Sequence, residues 1–456
     1  MRDVAERPRP SNKRALIALF AIALGVRLAL TPLYAHLPNG TLDEGFWKNW
    51  MERIHQHGVL NIFRTSDTDY VGYHWILWPL ATIYGWIGGP YTQTTPSLHI
   101  LVKMPSILYD LVLIAAVYRV TLVVVQNQAP EREGSDGTPE RCALAAATIC
   151  AFHPAILYDS AVWAQVDAAI SAAMLVSLVL AFYGRPAWAG FVFGLGFSIK
   201  PHPIILVPLL GLILWRKGRL QAIERFFVVA SSTVLLILVP WLIHGDGNRI
   251  RDVYVTLFTK QRERLSELAW NIWWIPDQLG DPRPGSTAFG WFDVLTYQRL
   301  AFALSACATI LAITYALRHS DIVSMLVAAA YQAFAFYELP VGSHERYLYP
   351  LFVLLLPVLF VRPRWLLLYV PISVTFFMNL VVVAPPMQRY MDHYVYGDIG
   401  VDVAAIQAVF FVVFTLVLLY GATRLQRDGS RRDLPPQSLL GTRDSNDAPR
   451  GMGLSS

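Results

Sequence analysis

Thr41-Leu42-Asp43-Glu44-Gly45-Phe46-Trp47 comes just after an apolar run, about Ala15–Tyr34, long enough to cross a bilayer. Two adjacent carboxylates flanked by aromatics, at the rim of such a run, sit at a membrane face. The fold question is then which other polar clusters the remaining apolar runs bring to that same face.

Composition supports reading the whole chain this way. Of 456 residues, 55% are hydrophobic and only 15% charged, against roughly 25% charged in soluble domains. Repeated apolar runs separated by short Arg-bearing loops indicate many membrane spans. The net charge of +5 is spread over span ends, which excludes the basic patch of a nucleic-acid binder. The three cysteines, Cys142, Cys150 and Cys307, fall in or beside apolar runs, so neither a disulfide framework nor a thiolate metal site is expected. A basic head leads into the first run with no small-x-small cleavage site after it, so this run is expected to stay as an anchor.

The expected architecture is an all-α polytopic membrane protein of about twelve transmembrane helices. Residues 1–14 form a basic cytoplasmic head, 15–423 a membrane domain with long outer loops at 37–97 and 244–298, and 424–456 a disordered tail. Arg27, inside the first span, either marks function or snorkels to the interface. In the first loop, Trp47, Trp50, Met51 and Ile54 fall at helical spacing, which predicts an amphipathic helix lying in the interface. Tyr73–Gly88 is read as a second interfacial or re-entrant segment. Lys103 and Asp110 share one face of the second span and are expected to pair. Trp273 and Trp274 of the second long loop are expected as interfacial anchors, with acceptor platforms as the alternative.

Charge parity sets the topology. With the N-terminus in the cytoplasm, Arg185, Arg216–Arg219, Arg318 and Arg362/Arg364 all fall inside, as positive-inside loops should. Both termini are then cytoplasmic in a plasma (inner) membrane. Asp43/Glu44, Asp159–Asp167, Lys200–His202, the 244–298 loop and His344–Arg346 converge on the outer, periplasmic or exterior face. Convergent ionisable residues at a membrane face point to a site.

No P-loop, zinc-binding HExxH or Gly-x-Ser-x-Gly motif is present. A lipid phosphate donor, its tail in the bilayer and its phosphate at the interface, suits such a face better than a nucleotide. Arg346, His344 and Lys200 are the candidate phosphate ligands. Asp43 is the candidate general base for an acceptor hydroxyl, with Glu44 as second candidate or orienting partner.

Asp43-Glu44, Trp163-Ala164-Gln165-Val166-Asp167-Ala168, Ile199-Lys200-Pro201 and His344-Glu345-Arg346-Tyr347-Leu348-Tyr349-Pro350 together resemble the GT-C superfamily of membrane glycosyltransferases, over most of residues 15–383. The nearest likeness is to bacterial mannosyltransferase-like members. The His-Glu-Arg run is similar to the His-Glu-Lys run of endoplasmic-reticulum glucosyltransferases. The resemblance implies a polyprenyl-phosphate sugar donor, a glycan or lipid-linked acceptor, and an acid of the first outer loop, here Asp43, as catalytic base. It makes Glu345, Asp167, Gln165, Trp163 and Tyr347 supporting site residues. No metal ligand or cofactor is assigned. Asp67-Thr68-Asp69 has Asp-x-Asp spacing but reads as a solvated turn, so a divalent metal is unsupported.

Each assignment has a plainer competitor. Asp43 can cap its helix, Asp167 can pair with Lys103 or Lys200, and Arg346 can pair with Glu345 or a nearby acid. At the level of the whole chain, the competitor is a secondary transporter, for which about twelve spans are also natural.

Overall fold

The computed structural model describes residues 13–35, 41–91, 95–128, 138–259, 264–280, 282–288, 294–383 and 397–423. The basic head up to residue 12, the 424–456 tail and Trp291 of the second loop lie outside the described residues. The architecture is helical. Among the described residues, the only strands are the two-residue pair Ser266–Glu267 and Ser343–His344, which run parallel.

Every run expected to span the membrane folds as a helix, with small shifts at its ends. Lys13–Leu30, Pro96–Gln128, Thr138–Phe152, Asp167–Phe182, Pro186–Ile199, Tyr297–Arg318, Ile322–Glu338, Tyr349–Leu359, Leu366–Val383 and Ile399–Thr423 are separate elements. The expected sixth and seventh spans join in the element Val207–Ile243, broken at Gly218 and Arg219, where Arg219 takes a φ of 56°. By length and composition, five helical segments can cross a membrane, or six if the bent pair Thr138–Phe152 and Pro154–Val162 is counted as one. This makes the chain a multi-pass all-α membrane protein. Several of the remaining helices have only 11 to 17 residues, about 16–25 Å at the α-helical rise, short of the bilayer's hydrocarbon core.

The core centres on Ile322–Glu338 and Tyr349–Leu359, both apolar and buried nearly all round, as a helix enclosed by other helices must be. Pro186–Ile199 lies close to the helix that follows the Gly218 break. A Cβ on Gly194 would lie 2.7 Å from the Ala230 carbonyl oxygen, and one on Gly190 would collide with the Phe226 carbonyl oxygen. Small residues four apart are what such close helix packing requires.

The first long loop folds into a compact cap. Leu42–His57 presents Trp47, Trp50, Met51 and Ile54, none more than 4% exposed, to the protein. This corrects the expectation that their stripe faces the membrane interface: the periodicity marks the buried face, but not what buries it. Trp47 packs edge-on against Tyr70 and Tyr73 at 5.1 and 4.9 Å. The outward apolar stripe belongs instead to His74–Ile87, where Trp78, Ile83, Trp86 and Ile87 are exposed.

Two intramembrane expectations also change. Arg27 does not snorkel: it is fully buried, with Nε 2.6 Å from Asp110 Oδ2. Asp110 therefore pairs with Arg27, not Lys103, and also accepts a hydrogen bond from Ser160 at 2.5 Å. Trp273 and Trp274 are not interfacial anchors, being 4% and 0% exposed, with the Trp273 indole donating to the Leu339 carbonyl at 2.6 Å.

The basic loops collect at one end. Asp167 and Phe182 bound a single helix, and Lys217 sits over the Phe182 ring. Arg216 donates to the carbonyls of Ala316, Leu317 and His319, so its loop meets the loop after Arg318. The opposite end of the Asp167–Phe182 helix carries the acidic and cationic cluster.

Candidate functional site

Thr41 caps the Leu42–His57 helix by accepting from the Glu44 backbone N–H at 3.4 Å. Asp43 is therefore not needed as the cap. Thr41 also donates to the Trp163 carbonyl, and the Trp47 indole donates to the Ala164 carbonyl at 3.0 Å. These bonds seat the start of the helix on the turn 158–166, whose Ala164 is held at a φ of 67°. A non-glycine residue adopts that conformation only when its surroundings enforce it, as the Trp47 bond and the Ala164 N–H to Ser160 carbonyl bond do.

The next residue after this turn is Asp167, first of its helix. One of its oxygens lies 3.0 Å from Lys200 Nζ, the other 3.8 Å from Arg346 Nε. Arg346 also lies 3.8 Å from Asp43 Oδ2 and 2.6 Å from Glu345 Oε1. Asp43, Asp167, Lys200, Glu345 and Arg346, from four separated stretches, thus form one cluster. Tyr347 packs beside it, with its ring 5.4 Å from Lys200 Nζ, 4.2 Å from His202 and 5.2 Å from His344. His344 sits at the edge, a third exposed, 3.9 Å from Glu345.

The expected pair Asp43–Glu44 separates. Glu44 is fully buried on the far side of the helix start, 3.0 Å from Lys103, 2.9 Å from His99 Nδ1 and 3.5 Å from Lys48. Adjacent helix residues point about 100° apart, and here that offset turns Glu44 to Lys103 while Asp43 faces Arg346. Lys103, expected to pair with Asp110, holds Glu44 and the Thr31 carbonyl instead. His99 also bonds the Thr31 carbonyl. Its place one turn before Lys103 was the sequence signal for this contact.

Charges inside the cluster shape one another. Burial pushes Glu345 up from the ordinary carboxylate value, and the Arg346 charge only partly opposes this. Burial pulls Lys200 down, but the carboxylate of Asp167 and the ring of Tyr70 leave it raised overall. Burial likewise works against the Arg346 charge, and Asp43 and Glu345 more than offset it. The two cations are held charged among carboxylates, and Asp43, with a side chain 16% exposed, is the most accessible acid of the set.

Tyr70, which the sequence reading did not place in the site, lies with its ring 5.9 Å from Lys200 Nζ. Trp163 and Gln165 are buried in the turn itself. Asp67 and Asp69 are both exposed, with Thr68 turned inward to His74. Among the described residues, no group of three or more His, Cys, Asp or Glu side chains is placed to hold a metal ion.

No curated protein matches the chain. The model of glycosyltransferase family 87 matches residues 97–337, more than half of the 456 residues. The match takes in Lys103, the turn 158–166, Asp167 and Lys200, and leaves Asp43 and Arg346 on either side. With an intramembrane helical core and a buried cluster of acids and cations at one end, this chain belongs to glycosyltransferase family 87.

Proposed function

We propose that this glycosyltransferase moves a hexose, mannose or glucose, from a polyprenyl-phosphate donor to an acceptor hydroxyl, with inversion at the anomeric carbon. In this reading the chain crosses the membrane about twelve times and both termini are cytoplasmic. The cluster then faces the periplasm or exterior, and the exposed stripe Trp78–Ile87 lies at the bilayer interface.

The observation that carries the reading is Arg346, which touches Asp43 and Asp167 at once while Asp167 holds Lys200. Its 3.8 Å contacts to Asp43 and Asp167 are longer than a hydrogen bond and its short bond is to Glu345, which leaves the Nε–H without a hydrogen-bond partner among the described residues. A donor phosphate presents the bidentate oxygens that Arg prefers. Arg346 and Lys200 would bind it, with His344 at the rim and Tyr347 holding both cationic segments in place.

Asp43 then takes the proton of the acceptor hydroxyl. The acceptor oxygen forms a bond to the anomeric carbon. The bond from that carbon to the phosphate oxygen breaks, and its electron pair stays on the departing polyprenyl phosphate, which Arg346 and Lys200 stabilise. Protonated Asp43 returns its proton to water. One carboxylate base is what an inverting displacement needs.

Membership in a glycosyltransferase family sets the transporter alternative aside. Purified protein supplied with synthetic polyprenyl-phosphate mannose or glucose tests the assignment. Asp43→Asn should abolish transfer and keep donor binding. Full turnover by that variant would remove Asp43 as base.

A further inference from the structure

We infer that the turn 158–166, together with Tyr349, forms the subsite for the glycosyl unit of the donor, its hydroxyls hydrogen-bonded by Asp159, Asp167, Gln165 and Tyr349. This rests on the polyprenyl-phosphate donor reading above and names the part of the protein that reads the sugar.

The turn holds an unusual set of buried polar atoms. Asp159, Gln165 and Tyr349 are 0% exposed. Among the described residues, neither oxygen of Asp159, neither amide atom of Gln165, nor the Tyr349 hydroxyl has a hydrogen-bond partner, and the same holds for Asp167 Oδ2. Buried groups of this kind are normally paired, because leaving them unpaired costs stability. Six such atoms on four neighbouring side chains are poor scaffold and good ligand-binding chemistry.

They also lie together. Asp159 lies within electrostatic reach of Asp167, Arg346 and Lys200, and Tyr349 within reach of Asp110 first and then of Asp159 and Asp167. The Gln165 backbone N–H donates to the Asp159 carbonyl at 2.9 Å, closing the turn. Asp167 belongs to both groups: one of its oxygens holds Lys200 and the other remains unbonded beside Arg346. A phosphate on Arg346 and Lys200 would lie beside that unbonded Asp167 oxygen, and the sugar attached to it would reach the turn that Asp167 follows.

The chemistry matches a hexose. Its hydroxyls both donate and accept. The Asp167 oxygen accepts from them, and the Gln165 amide and the Tyr349 hydroxyl both donate and accept. A site built from such groups rejects a ligand that lacks them, because its own buried polar atoms then stay unpaired. Water could fill the same positions, and this is the alternative the test must separate.

The experiment uses the full-length protein in lipid nanodiscs and measures the affinity for polyprenyl-phosphate mannose, polyprenyl-phosphate glucose and bare polyprenyl phosphate of one chain length. Its readout is the affinity ratio of sugar-bearing to bare lipid, which cancels any change in how the phosphate is held. Asp159→Leu and Gln165→Leu should each lower that ratio about 10- to 100-fold. Tyr349→Phe, which keeps the ring and so the packing, should lower it about 3- to 10-fold and serves if the other two do not fold. An unchanged ratio in the folded variants overturns the subsite and leaves a water-filled structural turn. Wild-type protein that binds neither sugar-bearing nor bare lipid overturns the donor reading, and this inference with it.

Discussion

Asp43 and Glu44 are neighbours in one helix, yet they live in opposite electrostatic worlds. Glu44 is sealed among Lys48, His99 and Lys103, all within 3.5 Å. Among the described residues, Asp43 keeps a partly exposed side chain and a single cationic contact, at 3.8 Å. A closed cluster fixes the position of what surrounds it; an open one leaves charge to spend on a ligand. The comparison assigns Glu44 to holding the helix start against the Pro96–Gln128 helix, and leaves Asp43 as the acid open to the chemistry proposed above.

That division can be broken experimentally. The largest effect expected is on Asp43→Asn, with turnover down about 10²- to 10⁴-fold, the usual contribution of a general base, and thermal stability near wild type. Next is Glu44→Leu, which strands buried Lys103 without its carboxylate and should cost about 3–5 kcal/mol of stability. Turnover per folded molecule should survive, measured on the fraction that remains monodisperse; a fully stable but inactive Glu44→Leu protein would erase the contrast. Arg346→Lys keeps the charge but loses the fork, and should weaken donor binding about 10- to 100-fold in a lipid-binding assay.

The smallest effect sharpens the comparison with a third acid. Asp246, buried in the loop after Ile243, is held by Arg64 at 2.7 Å, His244 at 2.8 Å and Arg249 at 3.1 Å. Burial pushes its carboxyl up, but the hydrogen bonds from Arg64 and His244 prevail and leave it below the ordinary value. A lowered carboxyl adds stability that is fully present above the unfolded value of about 3.9 and is lost as pH falls through the folded one. Asp246→Asn should therefore cost about 1 kcal/mol at neutral pH. It should also flatten the fall in melting temperature below about pH 4. An unaltered acid slope would mean that the Arg64 bridge contributes nothing.

Much of the fold was legible because apolar length and Arg-bearing loops are one-dimensional signals. The turn at Arg216–Arg219, the helix at Leu42–His57 and the buried face of that helix could all be read from residue spacing. The gathering of Asp43, Asp167, Lys200 and Arg346 followed from asking which loops share a membrane face. What could not be read was which helix is neighbour to which. Lys103 and Asp110 do lie on one helix, seven residues apart, but their partners Glu44 and Arg27 come from other elements. Rotation and adjacency of helices are set by packing across the bundle, and periodicity within one helix is blind to them. The burial of Trp273 and Trp274 was missed for the same reason: aromatic character signals both a membrane interface and a core. The close approach at Gly190 and Gly194 was likewise not drawn from the sequence, although small residues four apart are its usual signature.

The short parallel pairing of Ser266–Glu267 with Ser343–His344 ties the second long loop to the residue two before Arg346. Any molecule that grips that loop therefore pulls on the same backbone that aims the guanidinium. A shift of that loop is thus carried straight into the segment on which Arg346 sits, although some seventy residues of chain separate the two.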